Sequence, residues 1–249
     1  MTRLAPRLTV TVAISTLGVG VKRIRLPEKH ADIDYLILLQ MPQDAPAGLV
    51  ETLLAGRDDV ALLARPDRGL SNSRNAGLEQ ARGDLVLFSD DDVMLQVEGI
   101  LALRDQFFLD PDLVLAAGWR AERLPQNASE QRLTRFNSGR ICAPEFMVRK
   151  GAVLALGIRF DPAFGLGAQY GIGEDYIFVT DILGAGGKGI AIPVVCGSHP
   201  HASTGDLWND PILMMARKAV ILRVFNRFFG RAVWLVYLWR HKFKKWALR

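Results

Sequence analysis

Three consecutive aspartates, Asp90, Asp91 and Asp92, close the apolar run over residues 84–89. Adjacent carboxylates repel one another, so such a run calls for water or for a cation. On an extended chain Asp90 and Asp92 project to the same side. Two carboxylate oxygens so placed suit a hard divalent cation, Mn²⁺ or Mg²⁺, that keeps ligand positions for phosphate oxygens. The bland alternative is a solvated acidic turn capping the next helix. A second acidic pair, Glu174 and Asp175, follows the glycine-rich stretch "FGLGAQYGIG". At a helix start such a pair can satisfy free N–H groups, or it can supply a general base. The helix start lowers the pKa of Asp175 and the neighbouring Glu174 raises it, so an ionised carboxylate is expected at neutral pH. His199 and His201, in "GSHPHASTG", offer imidazoles. One of them could join two carboxylates on Mn²⁺, and would match Mg²⁺ less well.

These groups are far apart in sequence and need a scaffold that brings them to one edge. Short β-rich runs over 8–15, 34–39, 60–64 and 84–89 alternate with helical patterns over 21–30, 49–54 and 71–81. The alternation implies βαβ units, hence an α/β fold with a mostly parallel sheet and helices on both faces. Ligands of such sheets gather at the carboxyl ends of the strands, which is where residues 90–92 fall. Ser71 or Asn72 can cap the helix over 71–81, and Gly83 follows its last turn. Further on we expect helices over 99–108 and 151–157, a polar segment over 120–140 and a glycine-rich loop over 161–173. An amphipathic helix over 174–183 carries Phe178, Ile182 and Leu183 on its apolar side.

The segment "RGLSNSRNAGLEQARGDLVLFSDDDV", residues 68–93, resembles the signature of the family 2 glycosyltransferases, which have a GT-A fold. There a helix carrying Arg-Asn-x-Gly leads into a strand ending in Asp-x-Asp. "FDPAFGLGAQYGIGEDYIF", residues 160–178, resembles the family's Gly-Glu-Asp motif, and residues 197–205 fall where many members place a metal-binding histidine. The resemblance covers residues 8 to about 205. It implies a catalytic domain over 1–205, with a nucleotide-sugar half to about 93 and an acceptor half over 94–205, followed by a separate segment over 206–249.

It further implies that Asp90 touches the ribose of a nucleotide-diphosphate sugar and, with Asp92 and His199, belongs to the metal site bridging its diphosphate. Asp91 would be a supporting carboxylate. Asp175, in the catalytic pair with Glu174, would be the general base of an inverting transfer to a saccharide or lipid-linked acceptor, in cell-surface polysaccharide biosynthesis. The nucleotide would rest against Ser15, Thr16 and the loop after the first strand, with Arg68, Arg74 and Asn75 nearby. Arg74 could meet a phosphate or stack on the base. One departure concerns the second strand, which usually ends in Asp-Asp-Gly-Ser; here it reads "LLQMPQDAP", leaving Gln40 or Asp44 to substitute.

Three rival functions meet obstacles. "GVG" at 18–20 lacks the third glycine of a dinucleotide fingerprint. "STLGVGVKRIR" is a poor version of the phosphate loop that a sugar nucleotidyltransferase needs. A nucleic-acid-binding protein would have to act through the chain's basic end. Residues 211–249 hold ten Lys and Arg and no Asp or Glu, in a chain of 31 basic and 26 acidic residues with net charge +5. The rest is therefore mildly acidic. Two helices, over 212–229 and 231–246, are expected there with Gly230 between them, the second mixing Trp234, Tyr237, Trp239 and Trp246 with Arg240, Lys242, Lys244 and Lys245. Such a mixture suits an anionic membrane surface; nucleic acid, a dimer contact and plain packing on the sheet are the alternatives. Arg3 and Arg7 ahead of an apolar stretch have the look of a short secretory signal, but residues 8–14 read better as a buried strand. No apolar run reaches the roughly 20 residues of a spanning helix. Cys142 and Cys196 form no C-x-x-C motif and read as free thiols of a reducing compartment. The expected location is cytoplasmic, peripheral on the inner face of the cell membrane.

Overall fold

The computed structural model describes residues 7–201, 204–207 and 210–247. Four strands rich in Val, Ile and Leu build the parallel half of the sheet: β1 (Val10–Leu17), β2 (Ile33–Gln40), β3 (Val60–Arg65) and β4 (Leu85–Asp90). Their order is β3-β2-β1-β4, with Ser15 of β1 paired to Asp90 of β4, so the aspartates leave the sheet beside the end of β1. The second half is mixed. β8 (Phe146–Arg149) runs antiparallel to both β4 and β6 (Leu113–Arg120), and β9 (Lys188–Ser198) runs parallel to β6. Two-residue strands β5 (Met94–Leu95) and β7 (Gln131–Arg132) pair with β9.

Period-two alternation sends the strand side chains to opposite faces, each with its own core. On one face Ala13, Leu36, Leu38 and Phe88 meet α2 (Leu70–Gln80), α4 (Lys150–Ala155) and α5 (Glu174–Gly184). On the other, Val12, Ile14, Ile37 and Leu87 meet α3 (Val97–Leu109), with α1 (Leu49–Leu54) at the margin. Phe160 and Phe178 stack at 3.9 Å between centroids, and Phe88 meets both edge-on. The α/β architecture expected from the alternation is the one observed.

Several local expectations change. The helix expected over 21–30 is a single 3-10 segment, Gly18–Arg23, because Ile24 turns extended and Pro27 continues away from helical geometry. Neither Ser71 nor Asn72 caps α2. The helix starts one residue earlier, behind Gly69, and Ser71 instead donates to the Phe164 carbonyl at 2.7 Å. Strands β6, β8 and β9 were not anticipated. β9 hides its nature by carrying Pro193, and its register against β6 slips between the Ala117–Ala191 and Trp119–Val195 pairs, where that proline lies.

The basic end forms α6 (Pro211–Phe225) and α7 (Phe229–Ala247). They are parted at Asn226, whose φ of 61° breaks the helix, and Gly230 lies inside α7 against Ile221 and Leu222 of α6. Asp210 caps α6 by accepting from the Ile212 and Leu213 N–H groups. Val220 of α6 packs with Phe164 and with Ile177 of α5, and Arg223 pairs with Asp161 and Asp181. The side chains over 241–247, including Lys242, Lys244, Lys245 and Trp246, lie outside the described residues, as do Arg3 and Arg249. No described helix is long and apolar enough to cross a membrane. Both cysteines are free thiols, as the sequence suggests.

Candidate active site

The carboxyl ends of β1 and β4 open into a cavity of about 1340 Å³ that also borders α5, the 120–143 segment, α6 and α7. Its volume exceeds the roughly 300–1,000 Å³ of an ordinary small-molecule pocket, leaving room for two substrates side by side. Ser15, Thr16, Arg68, Arg74, Asp90, Asp91, Asp92, Glu174, Asp175 and His199 all line it. Of the other sequence-nominated residues Gln40 lines it, and Asn75, Asp44 and His201 do not. The Asn75 side chain exchanges two hydrogen bonds with the Phe160 backbone, at 2.8 and 2.9 Å, and so ties α2 to the loop before α5.

Arg74 organises the floor. It projects from α2 and is only 1% exposed. One terminal nitrogen donates to Glu174 at 3.0 Å and to Asp175, and the other to Asp90 at 3.1 Å. Its guanidinium also lies 5.7 Å from the Phe160 ring centroid. Both terminal nitrogens of Arg74 are thus engaged with carboxylates of the site. A planar, always-charged fork is the group that can hold three carboxylates at once. Burial pushes the Glu174 and Asp175 carboxyls above their ordinary values, and the Arg74 charge pulls them back. The sequence reading, which weighed only the helix start and the adjacent acid, missed this burial. Asp175 also accepts from the Ala143 N–H at 3.1 Å. Gly173, the residue before α5, has φ of +96°, and a Cβ there would stand 2.3 Å from Val220. This close approach lets α6 lie against the start of α5.

Asp91 turns away from the cavity centre. It accepts from the Thr16 hydroxyl at 2.6 Å and from Arg23 at 2.6 and 3.0 Å, tying β4 to the 3-10 segment after β1. The Ser15 hydroxyl is engaged too, accepting from Ser73 at 2.8 Å. Gln40 donates to Asp67 at 3.4 Å, and Asp67 pairs with Arg65. This small polar group at the ends of β2 and β3 was not visible in the sequence, where nothing marks Asp67.

His199 stands at the end of β9 with Nε2 3.3 Å from Asp92. Its Nδ1 lies 3.4 Å from Arg120, and the His199 backbone N–H donates to Glu122 at 3.3 Å. The ring thus turns its Nδ1 edge to the Arg120 guanidinium and its Nε2 edge to Asp92. His201 is exposed, its ring perpendicular to that of His199 at 6.1 Å. Among the described residues no group of three or more His, Cys, Asp or Glu side chains is gathered to hold a metal ion. Asp92 and His199 nevertheless fit a divalent ion that takes the rest of its ligands from a diphosphate and water, since such ions are commonly held by one or two protein groups.

Solved structures place this fold. The chain superposes on S. aureus TarS residues 1–349 in complex with UDP-GlcNAc, with TM-score 0.62 and 13% identity over 88% of this chain and 67% of that one. It matches the mannosyltransferase PcManGT of Pyrobaculum calidifontis, in complex with GDP-Man and Mn²⁺, with TM-score 0.60 and 18% identity over 89% and 64%. For GalNAc-T7 with UDP, GalNAc and Mn²⁺ the values are 0.60 and 16% over 88% and 48%. The chain spans only 40% of the longer TarS structure. At these identities the likeness defines the fold, GT-A. The sequence model of Glycosyl transferase family 2 matches residues 21–153, and the chain belongs to that family. No curated protein sequence matches it.

Proposed function

We propose that the protein is a metal-dependent inverting glycosyltransferase that moves one sugar from a nucleotide-diphosphate donor to an acceptor hydroxyl. The observation carrying this reading is the Arg74 hub, through which one guanidinium couples Asp90 at the end of β4 to the Glu174–Asp175 pair of α5. Donor-side and acceptor-side carboxylates are thereby held in one rigid unit. The donor nucleotide sits at the ends of β1 and β4, where Asp90 meets its ribose, with Arg68 and Gln40 on the rim. Ser15 and Thr16 shape the wall, and Asp91 fixes Thr16 and Arg23.

Asp175 takes the proton of the acceptor hydroxyl as that oxygen bonds to the anomeric carbon. The bond from that carbon to the diphosphate oxygen breaks, and its electron pair leaves with the diphosphate. A single base and direct displacement invert the anomeric centre. Burial raises the proton affinity of Asp175, which makes it a better base, while the Arg74 charge pulls it partly back. Asp92 and His199, with Asp90 behind them, would hold Mn²⁺ or Mg²⁺, and the ion supplies charge neutralisation on the departing diphosphate. The setting we infer is cell-surface polysaccharide assembly on the cytoplasmic face of the membrane, with the basic α7 at the lipid and the body before it doing the chemistry.

Thermal shift with UDP and GDP, with and without Mn²⁺, tests this reading. A nucleotide at about 100 times its Kd should stabilise the protein by roughly 2.7 kcal/mol. Asp92→Asn should abolish the Mn²⁺-dependent part of that gain with the fold intact. A native protein indifferent to both nucleotides in the presence of Mn²⁺ overturns the reading.

A further inference from the structure

The 120–143 segment gives the cavity a wall whose charge is of one sign. Arg120, Arg123 and Arg140 line the cavity there, and no Asp or Glu of that segment does. Arg120 turns to His199 on the metal side, at 3.4 Å, and Arg123 reaches the Cys142 sulfur at 3.8 Å. Burial pushes the Cys142 thiol up, so it adds no negative charge. Glu145 lies fully buried behind the wall, accepting from Arg120 at 3.3 Å and standing 3.6 Å from Arg140.

Arg140 is the member of this wall that is set beside the base. Its segment is fixed to the start of α5 on both sides. A Cβ on Gly139 would touch the Tyr176 ring at 3.8 Å, and the Ala143 N–H donates to Asp175 at 3.1 Å. Glu174 and Asp175 are themselves held by Arg74, so they leave Arg140 to another partner. The Arg140 guanidinium lies over the Trp119 ring at 3.3 Å, which fixes its plane. One terminal nitrogen donates to the Gly118 carbonyl at 3.0 Å; the other is buried and has no hydrogen-bond partner among the described residues. A buried donor left unmade costs free energy, so such a group marks where a ligand, ion or water belongs. Burial holds the Arg140 pKa below its ordinary value, and Glu145 restores only part of it. A planar fork so placed matches the two oxygens of a carboxylate or phosphate better than it matches a neutral hydroxyl.

Building on the transferase reading, we propose that the acceptor is an acidic sugar, whose ring carboxylate or phosphate ester meets Arg140 while a hydroxyl of the same ring reaches Asp175. Such a sugar keeps ring hydroxyls beside its anionic group, so recognition and reaction fall on one residue of the acceptor.

Calorimetry on the full chain with Mn²⁺ and UDP or GDP present tests the site. The probes are the methyl glycosides of glucose, galactose and mannose, each as the neutral sugar, the 6-carboxylate, its methyl ester and the 6-phosphate. In at least one series an acid should bind about tenfold or more tightly than the neutral sugar, the worth of a hydrogen bond to a charged group. The tighter of carboxylate and phosphate names the anion. The methyl ester should fall back to the neutral level, a comparison that needs no variant. Arg140→Gln should remove the acid preference and leave the affinity for the neutral sugar, and Arg140→Lys should restore only part of it, because an ammonium lacks the planar fork. Both variants should keep the Mn²⁺-dependent nucleotide shift, which also reports their folding. A native protein that binds nucleotide but prefers the acid in no series overturns this inference alone. So does an acid preference that survives in the ester or in Arg140→Gln, and so does loss of the nucleotide shift in an Arg140→Gln protein of unchanged Tm, which would assign Arg140 to the donor. A native protein that prefers the acid yet binds neither nucleotide overturns the transferase reading and leaves the acidic-sugar site standing.

Discussion

At the scale of single residues the site depends on one buried cation. Arg74 faces Asp90, Glu174 and Asp175 while almost wholly out of water. Removing one partner of a buried ion cluster strands the others, at a cost of about 3–5 kcal/mol. Arg74→Gln should therefore destabilise by about that amount at neutral pH, and Arg74→Lys should recover little, because an ammonium lacks the planar fork. The loss should shrink in acid. Burial raises both α5 carboxyls, so the native state binds more protons than the unfolded chain just above their ordinary pKa values. Stability then falls as pH rises through that interval. Without Arg74 the interval widens upward, and denaturation melts at pH 5 and pH 7.5 should show a smaller deficit at the lower value. The acid limb of kcat/KM, which reports the free base, should also move to higher pH, because the charge that lowers the Asp175 pKa is gone. An acid limb left where it was would mean that Asp175 is not the titrating base. Asp175→Asn should keep nucleotide binding and lose on the order of 10²–10⁴ in kcat. The aspartates and the Glu-Asp pair stand out in the sequence only together, through the motifs over 68–93 and 160–178 that resemble the family's. The hub does not stand out, because a buried arginine on a helix looks like a surface one until its three partners are brought together from 16 to 101 residues away.

At the scale of elements, the parallel half was legible and the mixed half was not. Strands β1 to β4 are apolar runs bounded by turn residues, and α1 falls where its pattern predicts. β6, β8 and β9 are read poorly because one strand of four residues and one carrying a proline offer no clean alternation. The packing of β9 is set by a neighbour instead. A Cβ on Gly99 of α3 would lie 1.7 Å from the Val195 carbonyl oxygen, so helix and strand touch through backbone. Gly99→Ala should force α3 outward and destabilise by at least the 1–3 kcal/mol usual for overpacking, although alanine is the better helix former. Because β9 delivers His199 to Asp92, the variant should also weaken the Mn²⁺-dependent nucleotide shift. Unchanged stability would mean that α3 and β9 do not meet as described.

At the scale of the molecule, composition marks residues 211–249 as one basic segment, yet the two helices do different work. α6 belongs to the body: Leu213, Ala216, Val220 and Phe225 are buried, and Arg223 bridges Asp161 and Asp181. α7 is the exposed partner. Leu235 is 67% exposed and Trp239 61%, with Phe228 in the turn before α7 90%, and seven of the ten basic residues lie beyond Phe225. A charge count cannot separate these roles, because the arginines of α6 serve internal contacts. Two truncations should do so. A chain ending at Phe225 should fold, bind nucleotide and leave anionic liposomes in sedimentation. A chain ending at Asp210 should lose on the order of 10 °C in Tm, since it uncovers Phe164 and Ile177 and breaks the Arg223 pairs. For the full chain, each Lys or Arg near an anionic surface contributes about 1 kcal/mol. Binding should weaken as added salt shortens the Debye length to about 8 Å at physiological ionic strength. Insertion of Phe228, Leu235 and Trp239 should leave a fraction bound at high salt. Liposome binding retained by the chain ending at Phe225 would place the membrane contact on the body, and α7 would then serve the cavity alone.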